Sequence, residues 1–124
     1  MLGEEAYGLT VAARRPEKLT AAANEPSISG KSGQPWLSVY SATKAAVIGW
    51  TQAMNKELAG DGVNSVALAP GFVDTPMTEF VKESIDPEQM IKTSDIAEAV
   101  RFLLRTSPWC VVPEIVFQRP GEAL

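Results

Sequence analysis

The feature that most limits the possible folds is a long helical pattern followed at once by a strand pattern. A helix is predicted over Val39–Ala59 because apolar side chains recur along one face at spacings of three and four. These side chains are Val47, Trp50, Met54 and Leu58. Gly60 is a typical helix stop, and the apolar run Val63–Ala69 predicts a strand ended by Pro70 and Gly71. A helix that returns through a short turn to a strand is typical of α/β proteins.

The remaining segments extend this alternation of helices and strands. They are strands predicted at Leu9–Ala13 and Glu114–Phe117 and helices predicted at Glu17–Asn24, Thr75–Ser84 and Thr93–Arg105. The length of 124 residues fits one domain. The alternation predicts an α/β fold with a parallel sheet. Three strands are few for such a sheet, so the architecture looks shortened.

Composition excludes several classes of function. The 11 basic residues against 15 acidic residues give a net charge of −4, which argues against nucleic-acid and anionic membrane partners. The chain has no histidine and a single cysteine, Cys110, so a His/Cys zinc site, a Ser-His-Asp triad and a Cys-His nucleophile lack their residues. We therefore predict no metal. The lone cysteine, the absence of an amino-terminal signal and the lack of a long apolar run predict a cytoplasmic protein that does not cross a membrane.

Tyr40 and Lys44 are the pair of side chains in the predicted long helix that could carry chemistry. Residues four apart in a helix lie on one face. A free tyrosine has a pKa of about 10, and a nearby cation favours the phenolate form. A tyrosine beside a lysine can therefore exchange a proton with a carbonyl or alcohol oxygen near neutral pH. The spacing alone also fits an ordinary amphipathic pair in which Lys44 covers an apolar face.

Two further motifs stand at defined distances from this pair. Ser27 lies thirteen residues before Tyr40, and the segment Pro70–Thr75, which reads PGFVDT, begins 26 residues after Lys44. In this order and spacing, the serine, tyrosine, lysine and Pro-Gly turn resemble the classical branch of the short-chain dehydrogenase/reductase family. The resemblance extends over nearly all of the 124 residues and is most specific over Ser27–Met77.

The resemblance implies a catalytic trio and a nicotinamide cofactor. Ser27 would polarise the substrate carbonyl, Tyr40 would give or take the proton, and Lys44 would stabilise the phenolate and hold the hydroxyls of the nicotinamide ribose. The residues expected to line the nicotinamide, besides Tyr40 and Lys44, are Pro70, Gly71, Val73 and Thr75. Hydride transfer belongs to the cofactor. The implied reaction interconverts a ketone, for example a 3-oxoacyl group, and a secondary alcohol.

Arg14 and Arg15 bear on the choice of cofactor. They follow the predicted strand Leu9–Ala13, at a place where members of the family contact the adenosine ribose. An arginine there suits a 2′-phosphate, whereas an aspartate would suit a free 2′-hydroxyl. The resemblance therefore implies NADP(H) rather than NAD(H), although two adjacent arginines also fit a solvated surface pair. It further implies a homo-oligomer that acts on a small carbonyl or alcohol substrate.

The sequence departs from the family pattern at two places. No glycine-rich phosphate-binding turn precedes Leu9–Ala13, and the stretch expected to carry further strands is absent between about Asn24 and Ser27. We therefore predict an incomplete doubly wound (Rossmann-type) parallel sheet with flanking helices, shortened at its start and internally deleted. Within this single domain, residues 1–25 would be a remnant of the cofactor half and residues 26–124 the catalytic half. The alternative is a non-catalytic fragment that binds no cofactor and at most interacts with other proteins.

The deletion also predicts how the strands pair. Val63–Ala69 and Glu114–Phe117 are neighbours in the family and can still form a two-stranded parallel core. Leu9–Ala13 would lose its neighbours, and each buried, unpaired backbone group costs about 1–3 kcal/mol. That segment must therefore pair with a different strand, fray into solvent or find another chain. Tyr40, Lys44 and Thr75 are expected to converge.

Overall fold

The sheet and its helices lie in the part of the chain that the computed structural model describes, residues 10–12, 20–22, 31 and 37–121. The regular elements are strand β1 (Thr10–Ala12), strand β2 (Thr20–Ala22), helix α1 (Ser38–Leu58), strand β3 (Ser65–Pro70), helix α2 (Thr93–Arg105) and strand β4 (Glu114–Phe117). Short 3₁₀ helices lie at Ala59–Asp61, Pro76–Val81 and Pro87–Gln89.

The four strands form one sheet in the order β2-β1-β3-β4. β3 and β4 are parallel, in a register that pairs Ala67 with Glu114 and Pro70 with Phe117. The connection through α2 provides the crossover that a parallel pair requires. α1 packs against β3. A small α/β fold with a two-stranded parallel core and flanking helices is therefore confirmed, and so is the predicted pairing of these two strands.

The two amino-terminal strands depart from a purely parallel sheet. β1 pairs antiparallel with β3, and β2 pairs antiparallel with β1. Of the three outcomes expected for Leu9–Ala13, the structure shows pairing with a different strand for the described part of this segment, Thr10–Ala12. The helix predicted over Glu17–Asn24 is wrong at Thr20–Ala22, which form β2. The backbone groups on the outer edge of β1 need partners, and a paired strand supplies them where a helix could not.

The face of α1 that packs on the sheet lies beside the apolar stripe indicated by the sequence. The buried side chains of α1 are Ser41, Lys44, Ile48 and Thr51. They recur at spacings of three and four and so form one continuous stripe. In the apolar stripe predicted from the sequence, Trp50 is 50% exposed and the other three residues are half-buried. Burial along α1 therefore follows contact with β3, all of whose six residues are buried, rather than side-chain hydrophobicity alone.

Asn55 fixes the position of α1 relative to β3. Its Nδ2 donates to the carbonyl oxygen of Ser65 and its Oδ1 accepts from the backbone N–H of Ser65, both at 2.5 Å. From Asn55 back to Lys44 the helix rises about 16 Å, and from Ser65 forward to Pro70 the strand advances about the same distance. Because β3 runs back along α1, we infer that Pro70 lies roughly level with Lys44. The first turns of α1 and the carboxyl end of β3 thus lie at the same end of the unit.

The elements after β3 follow the sequence pattern closely, with one change of helix type. The bounds predicted for α2 and β4 are those observed. At the start of α2, the backbone N–H of Lys92 donates to Asp95 Oδ2 at 2.8 Å. The helix predicted over Thr75–Ser84 is a 3₁₀ helix over Pro76–Val81, because so short a segment rarely supports α-helical nucleation.

Neither helix in the described part of the chain combines the length and the apolar character needed to cross a membrane.

Replacing Asn55 by alanine is expected to lower the free energy of unfolding by about 1–3 kcal/mol, because the buried backbone groups of Ser65 lose their side-chain partners. Denaturant unfolding followed by circular dichroism measures the change. Gln52→Ala, at an exposed position of the same helix, is the control and should stay within about 0.5 kcal/mol of the parent. Equal losses in the two variants would contradict the role assigned to Asn55.

Candidate functional site

Tyr40 and Lys44 lie one turn apart at the start of α1. The ammonium nitrogen of Lys44 is 5.4 Å from the centroid of the Tyr40 ring. Lys44 is only 5% exposed, and Tyr40 is half-buried. Burying an ammonium is costly unless neighbouring groups favour its charge, and the face of an aromatic ring does so. The fold therefore places a positive charge against a phenol at the sheet-facing side of the helix.

The loop that follows β3 is held by backbone hydrogen bonds on both sides. The N–H of Gly71 donates to the carbonyl oxygen of Phe117 at 2.9 Å and so extends the β3–β4 ladder. The N–H of Ile91 donates to Phe72 O at 3.1 Å, and the N–H of Asp74 donates to Ile91 O at 2.8 Å. The loop is thus fixed to buried Ile91 rather than free to move away from the sheet.

Val73 sits at the centre of this loop, in an isolated parallel bridge with Ile91. In a parallel bridge the hydrogen bonds pass through the neighbours of one partner, so the N–H and C=O of Val73 itself point away from Ile91. The hydroxyl of Thr78 donates to Val73 O at 2.6 Å, and the N–H of Thr75 donates to the same hydroxyl at 3.2 Å. The loop therefore offers the backbone donor and acceptor of one residue in a fixed orientation.

These groups match the polar groups of a nicotinamide nucleotide. A carboxamide needs one hydrogen-bond acceptor and one donor, which the C=O and N–H of Val73 could provide, and ribose hydroxyls could accept from Lys44. In open α/β sheets ligands bind outside the carboxyl ends of the strands, and Gly71 marks that end of β3. The residues present therefore fit the nicotinamide end of a dinucleotide. Within the described residues, no group of three or more acidic, histidine or cysteine side chains could hold a metal ion.

Three of the residues singled out from the sequence, Ser27, Arg14 and Arg15, lie outside the described residues, so their placement stays a prediction. The structure brings Tyr40 and Lys44 into contact. It places the remaining predicted residues in β3 and the loop at its carboxyl end; they are Pro70, Gly71, Val73 and Thr75. Their convergence with Tyr40 follows from the shared end of α1 and β3 and remains an expectation.

The sequence interpretation overlooked Thr78 and Asp74, both of which shape this loop. The spacing Thr75-x-x-Thr78 resembles a capping box, and the backbone N–H of Thr75 does donate to the Thr78 hydroxyl, so this signal could have been found. Asp74 pairs with Lys92, eighteen residues further along. No local pattern marks a contact at that separation.

The carboxylate of Asp74 ties the loop to the segments that follow it. Its Oδ2 is 3.1 Å from Lys92 Nζ, and its Oδ1 is 3.3 Å from Lys82 Nζ. Lys92 Nζ also donates to Pro87 O at 2.5 Å. The hydrogen bond with Lys92, and after it the one with Lys82, holds the pKa of Asp74 below its ordinary value. Hydrogen bonding to Glu79, and then to Asp74, raises the pKa of Lys82.

Asp74→Asn is expected to lower stability at neutral pH and to make no difference in strong acid. The folded carboxyl has the lower pKa, so its contribution is complete above the unfolded pKa of about 3.9 and is lost as the pH falls through the folded pKa. The Tm of the parent should therefore exceed that of the variant at pH 7, and the two should converge in acid. Glu83→Gln removes the same charge from an exposed side chain and should leave Tm nearly unchanged at either pH. A Tm difference for Asp74→Asn that does not vary with pH would argue against the ion pairs.

The region of the sequence that contains the candidate site resembles a known protein family. A family model described as short chain dehydrogenase matches residues 22–86, more than half of the chain. The chain is 35% identical over 101 residues to the 3-oxoacyl-[acyl-carrier-protein] reductase FabG of Thermotoga maritima, covering 75% of this chain and 41% of that protein. It is 45% identical over 86 residues to the acetoacetyl-CoA reductase of Synechocystis sp., covering 63% of this chain and 36% of that protein.

A solved structure supports the same relationship. The crystal structure of a betaketoacyl-[ACP] reductase (FabG) from Bacteroides thetaiotaomicron matches with a TM-score of 0.60 and 32% identity, over 65% of this chain and 36% of that one. The chain spans less than half the length of each of these relatives. The family match, these identities and the shared fold together show that the chain belongs to the short-chain dehydrogenase family.

Proposed function

We propose that the protein is an NADP(H)-dependent oxidoreductase of the short-chain dehydrogenase/reductase type that interconverts a ketone and a secondary alcohol. The observation that supports this most is the contact of buried Lys44 with Tyr40, 5.4 Å from ammonium nitrogen to ring centroid. A packing role alone would favour an apolar side chain in the stripe that faces β3, because burying an ammonium is costly. A charge kept beside a phenol is what proton transfer by tyrosine requires.

In the proposed reaction Tyr40 transfers the proton. In reduction its O–H donates to the carbonyl oxygen of the substrate, and in oxidation the phenolate takes the proton of the alcohol. Lys44 stabilises the phenolate that remains after donation. Ser27 donates a hydrogen bond to the same substrate oxygen and so polarises the carbonyl. When bound, the cofactor supplies or accepts the hydride.

In the proposed enzyme, two regions of one domain share the binding of the cofactor. Residues 26–124 form the catalytic half, in which Lys44 binds the ribose hydroxyls and the loop after β3 binds the nicotinamide; the loop residues are Pro70, Gly71, Val73 and Thr75. Residues 1–25 are what remains of the cofactor half, and Arg14 and Arg15 there bind the 2′-phosphate that distinguishes NADP(H) from NAD(H).

The substrate class is proposed from the relatives. Their names, 3-oxoacyl-[acyl-carrier-protein] reductase and acetoacetyl-CoA reductase, both refer to a ketone at the third carbon of an acyl group. We extend this class to the present chain, which makes acetoacetyl-CoA a suitable probe. A homo-oligomer is also part of the proposal.

NADPH is expected to bind weakly to the 124-residue chain, with a Kd of about 1 mM or higher, corresponding to at most about −4 kcal/mol. The reason is that its sequence contains no glycine-rich turn to cradle the diphosphate, which is usually the main anion-binding element. Titration followed by NMR measures the affinity, with NADH as the matched ligand that lacks the 2′-phosphate and should bind more weakly. Micromolar binding of NADPH would contradict the prediction and would point to a rebuilt site or a partner chain.

Tyr40→Phe is expected to reduce the rate of NADPH oxidation with acetoacetyl-CoA by about 10²–10⁴-fold, because phenylalanine cannot pass the proton. The assay uses millimolar NADPH to offset the weak affinity. The chain contains one other tyrosine, Tyr7, so Tyr7→Phe is the matched control and should retain the parental rate. Similar rates for Tyr40→Phe and the parent would exclude the proposed mechanism.

A second candidate is the non-catalytic fragment, which a different observation favours. Several large apolar side chains of the described residues are exposed, among them Trp109 at 87%, Phe102 at 54% and Val111 at 52%. Such surface promotes association with other chains. If NADPH does not bind at any concentration and sedimentation shows concentration-dependent association, the fragment is the better description.

A further inference from the structure

One hydroxyl joins the two ends of the turn that the proposed function assigns to the nicotinamide. Thr78 Oγ1 lies 2.6 Å from Val73 O, 2.9 Å from Thr75 O and 3.2 Å from Thr75 N. A hydroxyl has a single proton to donate, and the shorter distance assigns it to Val73 O. The carbonyl oxygen of Thr75 already accepts the backbone N–H of Thr78 at 3.1 Å. The hydroxyl therefore donates to one peptide group of the turn and accepts from another.

The other contacts of the loop restrain one of these two peptide groups and leave the other to Thr78. Ile91 bonds with Phe72 O and Asp74 N, so it fixes the path of the loop on one side. The C=O of Val73 shares a peptide group with the N–H of Asp74, so the bond to Ile91 already restrains it. The N–H of Thr75 belongs to the next peptide group, which could rotate without breaking either bond to Ile91. Among the described residues, the hydroxyl of Thr78 is the side-chain group that restrains this second peptide group.

From this geometry we infer that Thr78 is a positioning residue, which fixes the peptide group between Asp74 and Thr75 and so holds in place the turn that presents Val73 to the nicotinamide carboxamide. The inference rests on the proposed function for the ligand and on the structure for the contacts. In this role Thr78 acts through the turn and not by contact with the cofactor or the reacting atoms. It acts by limiting the rotation of the turn before the ligand arrives, which reduces the ordering cost of binding.

Two substitutions distinguish the positioning role of Thr78 from a general stabilising role. Thr78→Val keeps the shape of the side chain and removes the hydroxyl, whereas Thr78→Ser keeps the hydroxyl and removes a methyl group. Thr106→Val is the matched control, because the Thr106 hydroxyl also donates to a backbone carbonyl, Leu103 O at 2.8 Å, but at the end of α2. Amide hydrogen exchange at Thr75 and the NADPH dissociation constant are measured for the parent and the three variants.

The expected result is a Thr75 amide that exchanges about three to ten times faster in Thr78→Val, as the loss of one hydrogen bond predicts. The NADPH dissociation constant should rise by a similar factor. Thr78→Ser should remain within about twofold of the parent in both measurements, and Thr106→Val should change neither.

Three outcomes would overturn the inference, and they differ from one another. Unchanged exchange in Thr78→Val would show that the hydroxyl does not hold the turn. Faster exchange with an unchanged NADPH dissociation constant would show that the turn is held but is not presented to the cofactor. If the parent chain binds no NADPH, the proposed function fails and takes the cofactor role of Thr78 with it, whereas the exchange result still reports whether Thr78 orders the turn.

Discussion

The arrangement of the described residues depends on the pair of hydrogen bonds between the side chain of Asn55 and the backbone of Ser65. They join the last turns of α1 to the first residue of β3. Since the helix back to Lys44 and the strand forward to Pro70 span similar lengths, we expect Lys44 and Pro70 to lie at about the same level. A shift of one residue in β3 would also reverse which of its side chains face α1. The hydrogen bonds of Asn55 therefore affect both the packing of α1 on β3 and the position of the candidate site.

The sequence was most informative where a pattern is complete within one segment. The bounds of α2 and β4 were predicted correctly because capping residues and side-chain periodicity are local signals. The strand at Thr20–Ala22 was missed because its stabilisation comes from pairing with β1, and alanines favour a helix when no partner is considered. Secondary structure that depends on a distant partner is not encoded in the local propensity of the segment.

In the candidate site, too, contacts within one segment were predictable and contacts between segments were not. The contact between Tyr40 and Lys44 follows from their spacing in one helix. The burial of Lys44 did not follow, since the apolar residues of α1 pointed to a neighbouring face and the contact with β3 determines which stripe is covered. The ion pairs of Asp74 were not predicted either, because Lys82 and Lys92 contact it from later segments of the chain and no local pattern indicates such contacts.

The hydrogen bond between Gly71 and Phe117 has a consequence for the order of folding. α1 and β3 are contiguous, and Asn55 finds Ser65 across only ten residues, so this unit closes a short loop and can form early. β4 must return across roughly forty residues to dock beside β3, which is a slower event with a larger entropy of closure. The loop after β3 acquires its bond to Phe117 only at that step. We therefore expect the Tyr40–Lys44 pair to form with α1 and β3, and the loop after β3 to reach its final position only when β4 docks.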